Sequence, residues 1–599
     1  MGPRPTARLA QRLLCSRPPT TSPTTSPKLV TPIRQCRCFR ASPPRRTPNP
    51  QRAPPPKPQP PSRATLLFSG AGLLSVALGL HTAPTVSLDA PPARDDADNP
   101  ELPRFRVDEI RKHDGDSPNP WVIHGNKVYD ITDWVPTHPG GDVILRAAGG
   151  SIDRYWDIFS IHKNQYVYDI LSQYLIGYVD PADLTPDGSR LAVSDHVEDP
   201  FADDPERHPD LITHTEKPRN AETPGYALDG GFLTPNELFY VRNHMWVPTV
   251  DDPEEHTLTV ELPDGSTKTY TLRELKERFP KRTVTAVLQC SGNRRADMSL
   301  ESGRKANGLP WGTGAISNAQ WEGVLLADVL ADAGFRTSED DEVKHVHFSA
   351  MEAYGASIPI RKATDPYGDV LLAWGMNGKP LPPDHGFPLR SIVPGNVAAR
   401  SVKWLKRITL SDEESPSQWQ RRDYKCFGPN QTNVDWDAAP AIQEMPVQSA
   451  ITAIKLGSKD DPDKEDRPVS LGGYAYSGGG RAIVRVDVSV DGGKTWSQAK
   501  LLADCSGSPS QCSGHGAWYW KRWRYDGVVP REAFESDAAG EGTSGDRKCT
   551  SLVVKATDEA YNTQPEGYAA TWNVRGNLTS AWHRMRVCAD CADGIVKKP

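Results

Sequence analysis

The composition of the N-terminal part of this 599-residue chain limits the fold most strongly. From Met1 to Leu88 there is no Asp or Glu, while Arg is scattered among Ser, Thr and Pro. An acid-free basic segment of this kind is typical of a mitochondrial transit peptide, which is removed from the mature protein. We therefore predict that residues 1–63 are a leader that adds nothing to any compact unit. Three of the ten cysteines leave with it: Cys15, Cys36 and Cys38.

An uncharged apolar run, ATLLFSGAGLLSVALGL, follows the leader at Ala64 to Leu80. Its length is at the lower limit for crossing a bilayer. Behind a transit peptide, such a run resembles a stop-transfer signal that delivers a protein to the mitochondrial intermembrane space. We assign residues 64–83 as a sorting or membrane segment, and a retained membrane anchor is the alternative.

Pro-rich and acidic stretches divide the remaining chain. Residues 84–100 form a first linker and residues 181–220 an acidic hinge, in which nine carboxylates from Asp183 to Asp210 face only Arg190 and Arg207. Like charges extend a linker, so we predict a mobile tether from Pro181 to Asp210. Three compact units are left, and we call them the first unit (101–180), the middle unit (221–439) and the C-terminal unit (440–599).

The first unit is predicted to be a small α+β domain. Trp121 to Asp130 contains two short apolar runs around a Gly-Asn turn, which indicates a β-hairpin. Short helical patterns follow at Ile152 to Phe159 and at Tyr166 to Leu175. The chain as a whole is therefore predicted to be an α+β multidomain protein.

The other two units have different patterns. The middle unit has a strand-like run at Val284 to Leu288 and a helix-like segment at Trp321 to Ala333, so we predict a mixed α+β domain. In the C-terminal unit, Val484 to Val490 alternates with polar residues and ends in a Gly-rich turn, the signature of a half-buried antiparallel strand. Together with Leu552 to Val554 it predicts an immunoglobulin-like β-sandwich.

Two histidines in the first unit form a candidate metal pair. His138 opens a His-Pro-Gly-Gly loop, and His162 lies 24 residues later (162 minus 138) beyond short helical segments. A neutral imidazole nitrogen binds iron, and glycines let the backbone approach a planar ring closely. The unit resembles the cytochrome b5 haem-binding domain, which implies that both histidines bind one haem b iron and that the unit transfers single electrons.

A cysteine loop follows the predicted strand of the middle unit. Cys290 lies in Gln289 to Arg295, beside two arginines. Nearby positive charge favours the thiolate, which soft metals prefer as a ligand. From chemistry alone, a buried structural cysteine remains the alternative.

This loop and several other segments resemble the sulfite oxidase family, with similarity from about Leu102 to Val587. The resemblance implies that Cys290 binds molybdenum and that the middle unit holds a molybdopterin. Further matching segments are Asp384 to Arg390, Arg421 to Lys425 and Trp572 to Gly576. The cofactor-binding residues implied are Tyr240, Val241, Arg242, Asn243, His244, His385, Arg390, Arg400, Ser401, Val402 and Lys403.

Sulfite is a small oxyanion, so its site needs fixed cationic donors. We predict that Arg242, Arg295 and Arg575 bind it and that Tyr424 donates a hydrogen bond without adding charge. The resemblance implies that sulfite becomes sulfate and that the electrons leave through the haem to cytochrome c or oxygen. It also implies that the C-terminal unit forms a homodimer.

The net charge of -6 becomes more negative when the basic leader is removed. An acidic surface suits a basic protein better than nucleic acid. Cytochrome c is therefore the acceptor that we expect, and we expect no binding of nucleic acid.

Two other function classes stay open at this point. A nitrate-reductase-like molybdoenzyme would carry a flavin module, but here the haem unit comes first and only about 100 residues follow the turn at Asp491. A non-catalytic haem carrier with a scaffold domain is the second alternative. Two questions about thiols also stay open. Cys426 lies close to Tyr424 in sequence, so it leaves open which thiol binds the metal. Cys588 and Cys591 form a CxxC near the C-terminus, which we interpret more readily as a solvated thiol pair than as a zinc site.

Overall fold

The computed structural model describes residues 101–588, apart from 136–137, 139–140, 160–161, 163–164, 189–190, 192–198, 337–341, 432–433, 458–465, 505–511 and 537–547. Every described residue belongs to one compact unit, which lies within Asp95–Pro599. The predicted leader and the apolar run at 64–80 lie outside the described residues. Among the described residues, no helix has both the length and the apolar character needed to span a membrane.

The first unit is a four-stranded sheet with short helices, as predicted. The hairpin is confirmed, since its two strands pair antiparallel and Gly125 turns between them at φ 62°, where glycine fits best. The second predicted helix is shorter than expected, because Leu175 already belongs to a strand. The sheet order is β1-β4-β3-β2. The elements are β1 (Arg104–Phe105), α1 (Val107–Ile110), β2 (Trp121–His124), β3 (Lys127–Asp130), α2 (Asp153–Ile158), α3 (Gln165–Leu171) and β4 (Leu175–Val179).

Residues 199–210 of the predicted tether pack against the middle unit, and the hinge itself stays a prediction. Phe201 is only 4% exposed and packs against Trp246 of the middle unit. Asp204 accepts a hydrogen bond from the backbone N–H of Val247 at 2.9 Å. The number of carboxylates in the sequence could not predict this packing. The burial of one aromatic ring and a specific hydrogen bond outweigh the general repulsion between solvated charges.

The described residues of the middle unit form two five-stranded sheets, and a small three-stranded sheet joins them to residues 212–220 of the predicted hinge. One large sheet has the order β10-β11-β14-β15 with β16 beside β14, the other is β13-β12-β17-β8-β9, and the small sheet is β5-β6-β7. The strands are β5 (Ile212–Thr215), β6 (Asn220–Glu222), β7 (Val241–Arg242), β8 (Thr257–Glu261), β9 (Thr267–Thr271), β10 (Arg282–Gln289), β11 (Ile316–Leu325), β12 (His345–Ala350), β13 (Gly355–Pro359), β14 (Leu371–Met376), β15 (Lys379–Pro380), β16 (Arg390–Ile392) and β17 (Leu405–Ser411). The helices are α4 (Gly225–Gly230), α5 (Leu272–Arg278), α6 (Arg295–Ser302), α7 (Leu326–Ala333) and α8 (Ile360–Thr364).

The predicted strand at Val284 to Leu288 is confirmed within β10, and the predicted helix at Trp321 to Ala333 is only half correct. Residues up to Leu325 belong to β11, and the helix α7 starts at Leu326. Trp321 is fully buried between neighbouring strands, and its indole N–H donates to the carbonyl of Ala286 at 3.0 Å. An apolar run of this kind fits a buried strand as well as a helix, so periodicity could not separate the two.

The C-terminal unit is a pair of antiparallel sheets whose inner faces share one apolar core. The predicted strand at Val484 to Val490 is present as β20, although a register shift near Ile483 leaves Val484 43% exposed. The immunoglobulin-like topology stays a prediction. The strands are β18 (Gln448–Leu456), β19 (Arg467–Tyr476), β20 (Ile483–Ser489), β21 (Ser497–Gln498), β22 (Lys500–Leu501), β23 (Lys521–Val529), β24 (Glu535–Ser536), β25 (Lys548–Asp558) and β26 (His583–Cys588).

The interpretation of Cys588 as a solvated tail thiol is wrong. Cys588 is the last residue of β26, is 1% exposed and forms a disulfide with Cys549 of β25. The two residues are register partners in adjacent antiparallel strands. Their sequence separation of 39 residues hid this pairing, and Cys591 lies outside the described residues.

Candidate functional site

The two histidines of the first unit face each other. The ring centroids of His138 and His162 lie 6.5 Å apart and the rings are inclined by only 23°. Such a gap suits one metal ion, at imidazole-to-metal distances of ~2 Å on each side. Burial, together with the nearby His138, lowers the pKa of His162 to about 4, so its imidazole is neutral at pH 7, the form that binds a metal. The pair therefore fits a haem iron.

A pocket in the middle unit contains most of the other predicted residues. Cys290 follows directly on β10, is 6% exposed and lies in the pocket wall. Arg242 and Arg295 lie within electrostatic reach of its sulfur. One thiol among cationic groups is a donor set that suits a soft metal with anionic ligands. Other predicted residues that line the pocket are Tyr240, His244, His385, Arg390, Ser401, Lys403 and Tyr424.

Tyr424 reaches the pocket at the end of a single π-helical turn, Trp419–Asp423. Such turns occur frequently at functional sites. Its hydroxyl forms a 3.0 Å hydrogen bond with Nε2 of His244. Burial raises the pKa of Tyr424, while burial and the charge of Arg242 lower the pKa of His244 well below its ordinary value. At neutral pH the pair is therefore a protonated phenol beside a neutral imidazole, and it adds no charge to the pocket.

Arg242 and Arg295 have different surroundings. Arg242 lines the pocket and donates through Nη1 to the Asn243 carbonyl at 2.6 Å and to Asn220 Oδ1 at 3.1 Å. Arg295 instead donates to the carbonyls of Arg575 and Leu309, both at 2.9 Å. Its guanidinium is thus largely engaged with the protein.

Arg575 lies beside these groups and pairs with Asp423. Its side chain is 29% exposed. Among the residues that the structure describes, Arg295 and Arg575 are not part of the pocket wall, although both lie close enough to Tyr424 or Cys290 to influence their charges. Their role in sulfite binding stays a prediction.

Asp384, His385 and Arg390 of the matching segment form another part of the wall, together with Lys403. Lys403 donates to the carbonyls of Asp384 at 2.8 Å and Arg242 at 3.1 Å, and it contacts Asn243 Oδ1. Burial lowers the pKa of Lys403 to about 7 and that of Arg390 to about 10. Burial also lowers the pKa of His385 to about 3. An anion in this pocket would hold Lys403 in its charged form, so the wall fits a phosphate-bearing cofactor.

Four of the predicted cofactor residues are not part of the pocket wall: Val241, Asn243, Arg400 and Val402. Asn243 lies behind the wall and donates to Asp384 Oδ1 at 2.8 Å. Val241 packs with Leu211, and Val402 belongs to the main core of the middle unit. Arg400 is fully buried and donates to the Ile442 carbonyl through Nε at 3.0 Å and Nη2 at 2.7 Å. Its guanidinium lies 5.9 Å from the ring centroid of Tyr424. Arg400 therefore lies beside the Tyr424 ring and outside the pocket wall.

Cys426 is placed apart from the pocket wall. It is half-buried and packs against the cluster that contains Tyr424 and Trp419. Burial raises its pKa to about 11, so the thiolate that a metal would need is disfavoured. Cys290 is the thiol that lines the pocket.

Two acidic residues that line the pocket were missed. Asp384 receives two hydrogen bonds from Arg207, at 2.8 Å and 2.9 Å, across 177 residues of sequence, so no local signal could have revealed the pair. Glu352 lines both this pocket and a cleft beside the first unit. Its Oε2 is buried without a hydrogen-bond partner among the described residues.

Comparisons with known proteins agree with this arrangement. Three family models match: the cytochrome b5-like heme/steroid binding domain at 106–180, the oxidoreductase molybdopterin binding domain at 244–419 and the Mo-co oxidoreductase dimerisation domain at 439–590. The solved structure of the sulfane dehydrogenase SoxCD from Paracoccus pantotrophus aligns with a TM-score of 0.50 and 26% identity, covering 70% of this chain and 99% of that chain. The fold and its two sites thus define a haem- and molybdopterin-dependent oxidoreductase.

Relatives narrow the class further. A sulfite oxidase of Gallus gallus is 47% identical over 497 residues, covering 81% of this chain and 100% of that protein. A mitochondrial sulfite oxidase of Mus musculus is 43% identical, covering 81% of this chain and 85% of that protein. A nitrate reductase of Hordeum vulgare is 36% identical, covering 66% of this chain but 45% of that protein. This chain belongs to the sulfite oxidase family.

Proposed function

We propose that this protein oxidises sulfite to sulfate at a molybdenum–molybdopterin centre and passes single electrons through haem b to a cytochrome c in the mitochondrial intermembrane space. In this proposal residues 101–180 carry the haem, residues 221–439 hold the molybdenum centre and residues 440–599 form the homodimer contact. The matching domains and the family relationship support the reaction, the two cofactors and the homodimer. The leader and the apolar run support the location.

One observation carries the proposal: the Cys290 sulfur lies in the wall of a pocket that is also lined by Arg242 and Tyr424. When bound, the molybdenum cofactor supplies the two-electron chemistry at this thiolate. Arg242 attracts the oxyanion and can hold two of its oxygens. Tyr424, which stays protonated, orients the bound anion by a hydrogen bond that adds no charge.

The cofactor would be held by other groups of the same wall. Lys403 and Arg390 offer positive charge to a phosphate, and His385 stays neutral and buried. Asn243 fixes this wall by donating to Asp384 Oδ1 at 2.8 Å. These residues place the pterin before substrate arrives, so that little reorganisation is needed during the reaction.

The histidine pair explains why the first unit transfers electrons and does not react with substrate. His138 and His162 would hold the haem iron between them and would leave no position for oxygen or sulfite. The bound haem would supply one-electron transfer. The acidic mature chain then attracts a basic electron acceptor, which favours a cytochrome c.

The deciding experiment compares two thiol variants, Cys290→Ser and Cys426→Ser, in sulfite-dependent reduction of cytochrome c with metal analysis of the same samples. We expect the first variant to lose activity by ~1000-fold or more, because an essential ligand is removed. The second variant should keep both activity and molybdenum. The reverse result would move the metal to Cys426.

The two alternatives give different outcomes in the same assay. A haem carrier with a scaffold domain would contain haem but no molybdenum, and it would not reduce cytochrome c when sulfite is added. A nitrate-reductase-like enzyme would oxidise an electron donor when nitrate is added. The alignment over the whole length of a sulfite oxidase favours the main proposal.

A further inference from the structure

A row of aromatic rings leads from the haem histidine pair to the middle unit. The Phe159 ring lies 6.0 Å from the His162 ring and 6.2 Å from the Phe201 ring, centroid to centroid. Phe201 lies 6.3 Å from Trp246, with the rings nearly perpendicular at 84°. All three spacings are in the range of favourable aromatic contacts.

The far end of this row reaches the wall of the molybdenum pocket. Trp246 is 8% exposed and follows Met245, which lines the pocket. His244, which forms the hydrogen-bonded pair of the pocket with Tyr424, lies two residues before Trp246 in the chain. The row is therefore a packed connection between the two candidate metal sites.

The row of rings joins residues that are fixed on the middle unit to residues of the first unit. Phe201 is fixed, because Asp204 and Arg207 of the same segment are held by Val247 and Asp384 of the middle unit. Phe159 belongs to the first unit. The exposed Arg146 of the first unit adds a second anchor, since its guanidinium carbon lies 4.5 Å from the centroid of the Trp246 rings.

The rest of the boundary is poorly packed. A cleft of about 750 Å³ lies beside Trp246, lined from the first unit by Arg146 to Ser151 and from the middle unit by Trp246 to Thr249. Contacts between domains that are small and wet form and separate easily. Few side chains therefore determine how long the first unit stays in this position.

We propose that Trp246 is the docking platform on which the first unit receives electrons, with Phe159 and Arg146 as the groups that bind to it. The inference depends on the proposed function. Sulfite and water yield sulfate, two protons and two electrons, and the haem carries these electrons one at a time to two ferric cytochrome c molecules. Trp246 touches neither substrate nor iron, so it is a positioning residue.

The test uses the holoenzyme and the variants Trp246→Leu, Trp246→Phe and Phe159→Leu, with Arg111→Met as a control. Arg111 is an exposed residue of the first unit whose ion pair with Asp108 is local. Each protein is mixed rapidly with excess sulfite, and haem reduction is followed by absorbance. Hydrogen exchange of the backbone amides near Phe201 and Val247 is measured separately in the oxidised protein without sulfite.

Both leucine variants should slow haem reduction about tenfold, because loss of an anchoring ring lowers the docked fraction. Their amides at this boundary should exchange faster. Trp246→Phe should keep most of the rate, and Arg111→Met should match the wild type. Because Phe159 is remote from the pocket wall, a slow Phe159→Leu variant cannot be explained by damage to the molybdenum site.

Unchanged haem reduction in both leucine variants would overturn the docking role, and so would slow reduction with unchanged amide exchange. Failure of the proposed function looks different, because sulfite would then leave the haem of the wild-type protein oxidised. That result would overturn both proposals together. Normal reduction in the wild type and in the leucine variants would overturn the docking role alone.

Discussion

The middle unit has two boundaries with its neighbours, and they are constructed in opposite ways. At the C-terminal boundary Arg294 is fully buried, in a left-handed backbone conformation at φ 64°. Its guanidinium donates to the carbonyls of Ala581 at 2.9 Å, Trp582 at 3.1 Å and Ser449 at 3.2 Å. A buried charged group whose three carbonyl partners all belong to the neighbouring unit fixes the two units together.

Among the described residues, the boundary between the middle unit and the first unit has few buried charges of this kind. In that part of the chain it depends on aromatic rings and on the exposed Arg146, beside the cleft of about 750 Å³. Such contacts are nondirectional and can be exchanged for water at low cost. The comparison teaches that buried, hydrogen-bonded charge joins the middle unit to the C-terminal unit, whereas rings and one exposed cation join it to the first unit.

The largest effect should follow from a change at the fixed boundary. Arg294→Met removes the buried guanidinium that donates to Asp297 and to three carbonyls of the C-terminal unit, so we expect the free energy of unfolding to fall by ~3–5 kcal/mol. Urea unfolding of the holoenzyme measures it. Arg361→Met, at an exposed position of the same unit, should change stability by no more than ~0.5 kcal/mol. Equal effects of the two variants would show that the boundary is not locked by Arg294.

The disulfide of the C-terminal unit should give the next effect. It closes a separation of 39 residues, which restricts the unfolded chain by about 4 kcal/mol. The double variant Cys549→Ser, Cys588→Ser should therefore unfold at lower urea concentration, while Cys426→Ser should change the midpoint much less. We expect the first unit, followed by its haem signal, to unfold at an unchanged urea concentration. If its midpoint shifts as far as that of the C-terminal unit, the two units do not unfold independently.

Arg207→Met tests the segment 199–210, which leads from the first unit to the middle unit. It leaves Asp204 and Asp384, each about nine-tenths buried, without their cation. We expect a loss of ~3 kcal/mol at pH 7 and lower molybdenum content. Lys217→Met, which removes a half-exposed pair with Asp199, should cost less than ~1 kcal/mol.

The pH dependence of the Arg207 effect has a definite sign. Burial alone would raise the pKa of Asp384, but the pairing with Arg207 holds it below its ordinary value. The stabilisation is therefore present above the unfolded value of about 3.9 and is lost as the pH falls through the lower folded value. The gap between wild type and Arg207→Met should narrow at pH 3, and a gap that widens there would refute the pairing as its cause.

The smallest effect concerns Glu352, which faces the boundary with the first unit. Burial raises its pKa to about 8, against the charges of Arg146 and Lys403 and with Asp204 nearby; Tyr155, Asp199 and Asp203 also line the cleft. Above pH 8 the ionised carboxylate should attract Arg146 and hold the first unit longer. We expect haem reduction by sulfite to rise two- to threefold across pH 8, an effect of ~0.5 kcal/mol.

Glu352→Gln is the matched variant for this prediction, because it keeps the shape and removes the titration. Its rate should lack the step that the wild type shows at pH 8. If both proteins show the same step, another group, such as Lys403, is responsible. Rapid mixing at pH 6.5 to 9.5 would separate these outcomes.

The sequence predicted the parts of the molecule that are encoded locally. The hairpin at Gly125, the strand that ends at Cys290 and the spacing of His138 and His162 each occupy a short stretch whose residue types restrict the backbone or the chemistry. Family resemblance then brought Tyr424 to the same pocket. These features could be recognised because few alternatives fit the same residues.

The remaining features depend on partners that meet only in the folded chain. Arg207 and Asp384 are far apart in sequence, and so are Cys549 and Cys588. Arg400 resembled a cofactor ligand, yet the fold engages its guanidinium with a backbone carbonyl. A sequence pattern states which groups are present, but tertiary packing decides which of them remain available to a ligand.

The burial of the disulfide has a consequence for a protein that works on sulfite. Sulfite is itself a sulfur nucleophile and opens S–S bonds, giving one thiolate and one S-sulfonate, by the same displacement that a thiolate performs. With Cys549 8% exposed and Cys588 1% exposed, the bridge is shielded from that attack. We expect mass spectrometry to find no S-sulfonate on the folded protein in millimolar sulfite, and to find it once urea has opened the sheet.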